Sequence, residues 1–327
     1  MENEISAEEL INSLVEKAHK AQQEFESFSQ EQTDAIVKEI GKVVYDRAEE
    51  LARMTVDETK MGVYEDKVAK CHGKSKCIWN SLKGKKSVGI IEENKETGII
   101  KVAKAKGVVG AVTPVTNPVV TPMCNIMFAI KGQNAIIIAP HPRAEHVNKY
   151  VVDLFREILK KHNAPVDLIQ TIEKSSIDAT NELMKKVDVV VATGGGGMVK
   201  AAYSSGHPAL GVGPGNVQVI MDRGIDYEDA VKKIIIGRTF DNGIICAFTS
   251  QYFYYSNKPY SFQKKILIKF LTCLEKTAYL LLKMNHQLRN LLIQSSLKTV
   301  QSIEKLLVNL FKQLQNLLML KFRKVQE

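Results

Sequence analysis

The sequence predicts an α/β protein: a Rossmann-type, mostly parallel sheet with helices on both faces and a group of N-terminal helices ahead of it. Three observations carry that prediction. Between residues 108 and 192 short apolar runs alternate with helical stretches, the order that a parallel sheet with crossover helices requires. Three of these runs end in Pro-rich or Gly-rich turns, and ligands bind such sheets at the carboxyl ends of their strands. The first 82 residues instead repeat their apolar positions at helical spacing.

The N-terminal helices open on a capping box, with Ser6 as N-cap and Glu9 three residues on, followed by Leu10, Ile11, Leu14 and Val15. A second amphipathic helix is expected from Ser29 to Asp57, with Ile36, Ile40, Val43, Val44, Leu51 and Met54 on its apolar side. Met61-Gly62 interrupts it, and a further helix is expected from Glu65 to Leu82. These read as packing helices without chemistry, and Trp79, the only tryptophan, as a packing anchor. Residues 88–92 and 98–103 flank a polar turn and read as a hairpin. Strands then fall at 108–112, 135–139, 168–172 and 187–192, separated by helices at 119–130, 144–161 and 177–185. Farther on, a helix opens near Met198, Gly211 to Asn216 reads as a second glycine-rich turn, and a strand covers 217–221. A helix over 226–237 carries Asp226, Glu228 and Asp229 near its start, where the helix dipole favours acids.

With 327 residues, 45% apolar and 25% charged, the chain has the balance of a soluble globular protein and room for two domains. No secretory leader and no bilayer-spanning apolar run are expected. Five scattered cysteines, an odd number, point to reduced thiols and a cytoplasmic setting. Cys71, His72 and Cys77 match no common zinc spacing, so no metal is expected. The net charge of +9 is unevenly placed: of 45 Lys+Arg and 36 Asp+Glu, 13 and 3 fall after residue 250, so 32 and 33 remain before it. The main body is therefore not expected to bind nucleic acid or a membrane.

The strand ends carry the chemistry. Thr113-Pro114-Val115-Thr116-Asn117-Pro118 follows the first strand, Pro140-His141-Pro142-Arg143 the second, and Thr193 with Gly194, Gly195, Gly196 and Gly197 the fourth. Consecutive glycines let backbone N–H groups approach a phosphate, and a following helix N-terminus favours the anion. The run matches neither the dinucleotide fingerprint nor a P-loop, so a plain turn is the alternative. The stretch Thr239 to Ala247 ends in a lone cysteine, Cys246. Taken singly, a cysteine is commonly a small buried hydrophobe, Asn117 before Pro118 a turn former, and His141 between two prolines a loop residue.

Taken together and in order, Thr-Pro-Val-Thr-Asn-Pro at 113–118, Ala-Pro-His-Pro-Arg at 139–143, Ala-Thr-Gly-Gly-Gly-Gly at 192–197, Gly-Val-Gly-Pro-Gly-Asn at 211–216 and Phe-Asp-Asn-Gly-Ile-Ile-Cys-Ala at 240–247 strongly resemble the CoA-acylating branch of the aldehyde dehydrogenase superfamily, its acetaldehyde and succinate-semialdehyde members in particular. The resemblance covers about the first 247 residues. It implies NAD or NADP as cofactor, coenzyme A as co-substrate, and reversible oxidation of an aldehyde to an acyl-CoA. By position Cys246 resembles the nucleophile and Asn117 the oxyanion donor, while Thr113, Pro114, His141, Thr193 and Gly194 to Gly197 resemble the cofactor site. Hydrolytic relatives carry a glutamate base where this chain has Gly211. Water, of pKa about 15.7, needs such a base, whereas a thiol of pKa about 8.5 needs far less help, which suits acyl transfer to CoA.

Past Ala247 the family pattern stops. Residues 251–327 contain no glycine and no aspartate but 17 leucines, and a catalytic α/β domain without glycine would lack left-handed turn positions. The expected organisation is N-terminal helices plus NAD(P)-binding domain over 1–221, the start of a catalytic domain over 222–247, and a helix-prone, out-of-frame and non-native tail over 248–327. A chain truncated or frameshifted after its catalytic cysteine is expected to be impaired, and the family's homo-oligomer is doubtful for it. Val300, Ile303, Leu307, Leu310, Leu314 and Leu317 nevertheless recur at spacings of 3 and 4, which supports a second reading: a non-catalytic nucleotide-binding remnant whose basic amphipathic tail binds a membrane surface or a partner helix.

Overall fold

The computed structural model describes residues 6–213, 215, 217–221, 225–245 and 249–254. Cys246, two members of the 211–216 motif (Pro214 and Asn216) and the Leu-rich tail lie outside the described residues. Residues up to 219 together with 236–252 form one compact unit, and 220–235 with the residues from 253 onward fall in a second. What is described of the second is mainly the helical stretch that begins with the Ala230 N–H to Asp226 carbonyl bond of 3.0 Å and carries an exposed Lys233–Asp229 pair at 2.7 Å.

In the first unit four helices come first: α1 (Ala7–Phe25), α2 (Gln30–Asp46), α3 (Ala48–Thr59) and α4 (Tyr64–Leu82). The expected capping box closes at Ser6 with Glu9, and a second one closes at Ser29 with Gln32. The single helix expected over 29–57 is two. Arg47 leaves helical geometry at φ −105° and ψ 23°, and no glycine or proline marks the break, so apolar periodicity runs straight through it. Lys60 and Gly62, both at positive φ, turn the chain into α4.

Strands β1 (Gly89–Asn94) and β2 (Ile99–Ala103) form the expected hairpin. The sheet that follows has five strands: β3 (Val108–Val112), β4 (Ala135–Ala139), β5 (Ile169–Thr171), β6 (Val189–Thr193) and β7 (Ala209–Val212), ordered β5-β4-β3-β6-β7 and parallel at every pairing. Crossover helices α5 (Val120–Lys131), α6 (Glu145–Lys161), α7 (Ile177–Lys186) and α8 (Gly196–Tyr203) connect them. Strands covered on both sides read as unbroken apolar runs, and every residue of β3 and β4 is buried. Helices α5 and α6 pack on the sheet and in turn carry α2 and α3, while α1 packs against α7 and β4. The β7 strand corrects the sequence reading: Gly211 and Val212, expected in a turn, belong to a strand. A four-residue strand, Ala-Leu-Gly-Val, is too short and too uniformly apolar to show an alternation. Residues Val217–Met221 (β8) and Thr249–Tyr254 (β9) make a separate two-stranded sheet, and Tyr227–Thr239 is α9.

Specific side chains lock the helices to the sheet. Gln22 donates to the Gln133 carbonyl at 3.1 Å, and Gln133 donates back to the carbonyls of Phe25 and Phe28 at 3.2 and 2.9 Å. The Glu58 carboxylate, near the end of α3, accepts from the N–H groups of His146 and Val147 at 2.9 and 2.7 Å, where the free amides of α6 favour an anion. Asp188 accepts from Val108 N–H at 2.8 Å, and a Cβ on Gly107 would lie 2.2 Å from that same carboxylate. Among the described residues no helix is long and apolar enough to cross a membrane. Ile137, fully buried in the middle of β4, tests the core: Ile137→Ala should lower the unfolding free energy by about 2–5 kcal/mol in a denaturant titration. A loss under about 1 kcal/mol would mean that the sheet centre is not close-packed.

Candidate active site

The sheet order decides where a ligand can sit. The chain leaves β3 towards β4 on one side and leaves β6 towards β7 on the other, so a crevice opens between the carboxyl ends of β3 and β6. Thr113 and Thr193 stand at those two ends. A cavity of about 810 Å³ lies there, lined by Thr113, Pro114, Asn117, His141, Thr193, Gly194 and Gly195, with Ser176, Thr180 and Met198 also in its wall. Seven residues singled out from the sequence thus come together from three different strand ends. Gly196 and Gly197 do not join the wall; they form the first turn of α8, with Gly195 as its N-cap. Ile244 and Ile245, the two residues directly before Cys246, line the same cavity.

The glycine run is informative because its backbone does not need glycine. None of Gly194 to Gly197 has positive φ, and Gly195 sits in ordinary extended geometry at φ −67° and ψ 163°. Among the described residues, a Cβ at Gly195, Gly196 or Gly197 would meet nothing within 4 Å beyond its chain neighbours and the adjoining helix backbone. With turn geometry and packing both set aside, the remaining reason for bare backbone is close approach by something else. Gly195 is the N-cap of α8, and the start of a helix is a setting that favours an anion. Gly211 has the opposite explanation. A Cβ there would come within 2.7 Å of Val199 and 2.9 Å of Tyr203, so α8 packs directly on β7 at this point and leaves no space for a glutamate.

His141 accepts from Arg143 N–H through Nδ1 at 3.1 Å, which puts its proton on Nε2. Burial and the neighbouring Arg143 guanidinium hold its pKa below the usual imidazole value, so it faces the cavity neutral at pH 7. Arg143 itself turns away and donates to the Thr59 carbonyl at 2.7 Å. Two described thiols are poor candidates for reaction: burial pushes Cys124 up to about 11 and Cys71 up to about 12, the latter against the opposing pull of Lys67 and Lys70. Among the described residues no cluster of three or more His, Cys, Asp or Glu is placed to hold a metal.

One cluster escaped the sequence reading. Asp241 is fully buried, and its carboxylate is shared by Lys67 at 2.9 Å and by Lys70, two lysines that are themselves about 5% exposed. Val63 N–H donates to Asp241 Oδ1 at 2.9 Å, and the Asp241 N–H donates to Asp66 at 2.7 Å. Lys70 also donates to Asn117 Oδ1 at 2.9 Å, and Lys67 to the Thr116 carbonyl at 2.6 Å. Lysines at inward positions of α4 look like solvated charges to a hydropathy reading. The available signal was their spacing: Lys67, Lys70, Cys71 and Ser75 fall on one helical face, and that face is the buried one.

A five-stranded parallel sheet thus brings glycines after β6 and the Asn117 loop after β3 into one cavity wall. Comparison with known proteins gives the class. Residues 3–291 match the model described as the aldehyde dehydrogenase family, and the chain belongs to that family. It is 60% identical over 247 residues to the succinate-semialdehyde dehydrogenase (acetylating) of Clostridium kluyveri, an alignment that takes in 76% of this chain and 54% of that protein. The chain thus spans about half the length of the Clostridium kluyveri enzyme. The structure resembles an acetylating aldehyde dehydrogenase from Geobacillus thermoglucosidasius with a TM-score of 0.77 at 36% identity, over 83% of this chain and 59% of the other. It also resembles the Rhodopseudomonas palustris propionaldehyde dehydrogenase with bound CoA and an acylated cysteine, with a TM-score of 0.69 at 32% identity, over 81% and 59%.

The thiols give a direct check on the site. In the native protein at pH 8, buried Cys71 and half-buried Cys124 should resist a thiol reagent, because both stay protonated, while the exposed Cys77 should react. Peptide mapping after brief labelling reads this, and rapid modification of Cys71 would contradict its placement.

Proposed function

We propose that this chain is descended from, and built for, NAD(P)-dependent oxidation of a small aldehyde to an acyl-CoA. Cys246 is its nucleophile and Asn117 its oxyanion donor. The observation that carries the proposal is the meeting, in one cavity, of the open-faced glycines after β6, the Asn117 loop after β3 and the two residues that lead into Cys246. Relatives named as acetylating or acylating dehydrogenases, and a solved propionaldehyde dehydrogenase with CoA and an acylated cysteine, support the same chemistry.

In this reading the Cys246 thiolate adds to the aldehyde carbon and forms a thiohemiacetal, while the Asn117 amide donates to the developing alkoxide. When bound, NAD(P)+ supplies the hydride acceptor that such an oxidation requires. The acyl group left on sulfur passes to the thiol of CoA, which displaces Cys246. Gly211 leaves no side chain to activate water, so the thioester is spared hydrolysis and awaits the thiol. Thr193, Gly194 and Gly195, with the first turn of α8, take the diphosphate, and Thr113, Pro114 and His141 take the other side of the cofactor. Neutral His141 offers an Nε2–H donor without adding charge.

Turnover by this polypeptide is expected to be weak or absent, because residues 251–327 contain neither the glycine nor the aspartate that the turns of a catalytic α/β half draw on. A spectrophotometric assay with acetaldehyde or succinate semialdehyde, CoA and NAD+ or NADP+ tests both parts. Residual reduction of the cofactor should require CoA for turnover beyond one equivalent and should vanish in Cys246→Ser. Turnover at an ordinary enzymatic rate of about 1 per second or more that Cys246→Ser abolishes would establish the chemistry and overturn the impairment. Turnover that survives Cys246→Ser would overturn the chemistry.

A further inference from the structure

We propose that Lys70 is a positioning residue for Asn117, holding its amide so that the nitrogen end is the one available to the cleft; the proposal rests on the reading of Asn117 as oxyanion donor. An asparagine amide presents an acceptor at one end and donors at the other, and only the donor end can stabilise an alkoxide. Which end faces the cleft is set by what holds the other. Lys70 Nζ lies 2.9 Å from Asn117 Oδ1, and an ammonium has donors only, so this contact fixes the oxygen end. At the nitrogen end, one N–H reaches Thr116 Oγ1 at a long 3.3 Å, and the second has no partner among the described residues.

Lys70 can hold the amide firmly because it is itself held. Its side chain is 4% exposed and ion-paired with the fully buried Asp241. Lys67, one turn earlier on α4, shares that carboxylate at 2.9 Å and donates to the Thr116 carbonyl at 2.6 Å. One lysine therefore fixes the backbone just before Asn117 and the other fixes its side chain. A cation on the carbonyl end also polarises the amide, which strengthens N–H donation at the other end as negative charge develops. An ion cluster serving only to join α4 to residues 240–243 would not need a bond to Asn117.

The full chain, labelled with nitrogen-15, tests this. The Asn117 side-chain amide signal is assigned by its loss in Asn117→Ala. In Lys70→Met the signal should shift and its solvent exchange should quicken by about tenfold or more, the order expected when one charge-assisted hydrogen bond is lost. In Lys70→Arg, which keeps a buried cation and donor, it should stay near its original position. An unmoved signal in folded Lys70→Met overturns the proposal. If Lys70→Met does not fold, Lys70→Gln is read against the same expectation.

A second readout uses p-nitrophenyl acetate, whose carbonyl is attacked by the cysteine thiolate as the C–S bond forms and p-nitrophenolate leaves. Asn117→Ala should slow the p-nitrophenolate burst by about a hundredfold and Lys70→Met by about tenfold, and the double variant should be no slower than Asn117→Ala alone. Losses that multiply in the double variant would overturn the coupling. A burst untouched by Asn117→Ala, or surviving Cys246→Ser, would sink the oxyanion reading itself, and the amide signal would still decide whether Lys70 orients Asn117.

Discussion

The buried carboxylate of Asp241 is the constraint on which the candidate site depends. A carboxylate with no exposed surface is very costly unless paired and hydrogen-bonded, and here two lysines and the Val63 N–H satisfy it. The surrounding geometry is specific to that arrangement. Asp241, Asn242 and Gly243 all adopt positive φ, at 52°, 55° and 70°, a left-handed turn that Asp and Asn tolerate better than most residues. A Cβ at Gly62 would lie 2.2 Å from Asp241 Oδ1, so the close approach of the two segments excludes any other residue there. The turn that delivers Ile244 and Ile245 to the cavity wall is thereby fastened to α4, and through Lys70 and Lys67 to the Asn117 loop.

The other half of the cleft owes its form to sheet topology. Connections that leave two adjacent parallel strands in opposite directions open a crevice at the strands' carboxyl ends, and Thr113 and Thr193 stand at its two sides. What faces the crevice from β6 is bare backbone, with ordinary φ and open space where side chains would be. What faces it from β3 is a loop whose carbonyl and side chain are both tied down by lysines. The proposed anion cradle and amide donor thus come from two loops that share no local sequence, brought together by the order of the strands.

The parallel core was legible because its signals are local and strong. Apolar runs such as Ala-Ile-Ile-Ile-Ala at 135–139 fall where the strands fall, and the capping box at Ser6 marks the first helix. The failures each have a physical cause. The division of residues 29–57 at Arg47 leaves no composition signal, and β7 is too short to show a period. The residues proposed for cofactor and oxyanion were accessible only through motif order, since Asn117 and His141 taken singly are ordinary loop residues. The Lys67–Lys70–Asp241 cluster was invisible because its lysines lie 171 and more residues from the aspartate and all three are charged, and hydropathy assigns charge to the surface. Cys246 lies outside the described residues, so its role rests on sequence order and on the two isoleucines before it.

The central claim is that the glycines after β6 are bare because a dinucleotide diphosphate lies against them. Calorimetric titration of the full chain with NAD+ and with NADP+ tests it most directly, with Gly195→Val as the comparison. The claim predicts saturable binding of at least one of the two by the unaltered chain, weakened at least about tenfold in Gly195→Val, whose Cβ has open space among the described residues but whose side chain would fill the space the phosphate needs. Equal binding by both proteins would contradict it, as would the absence of binding to either dinucleotide.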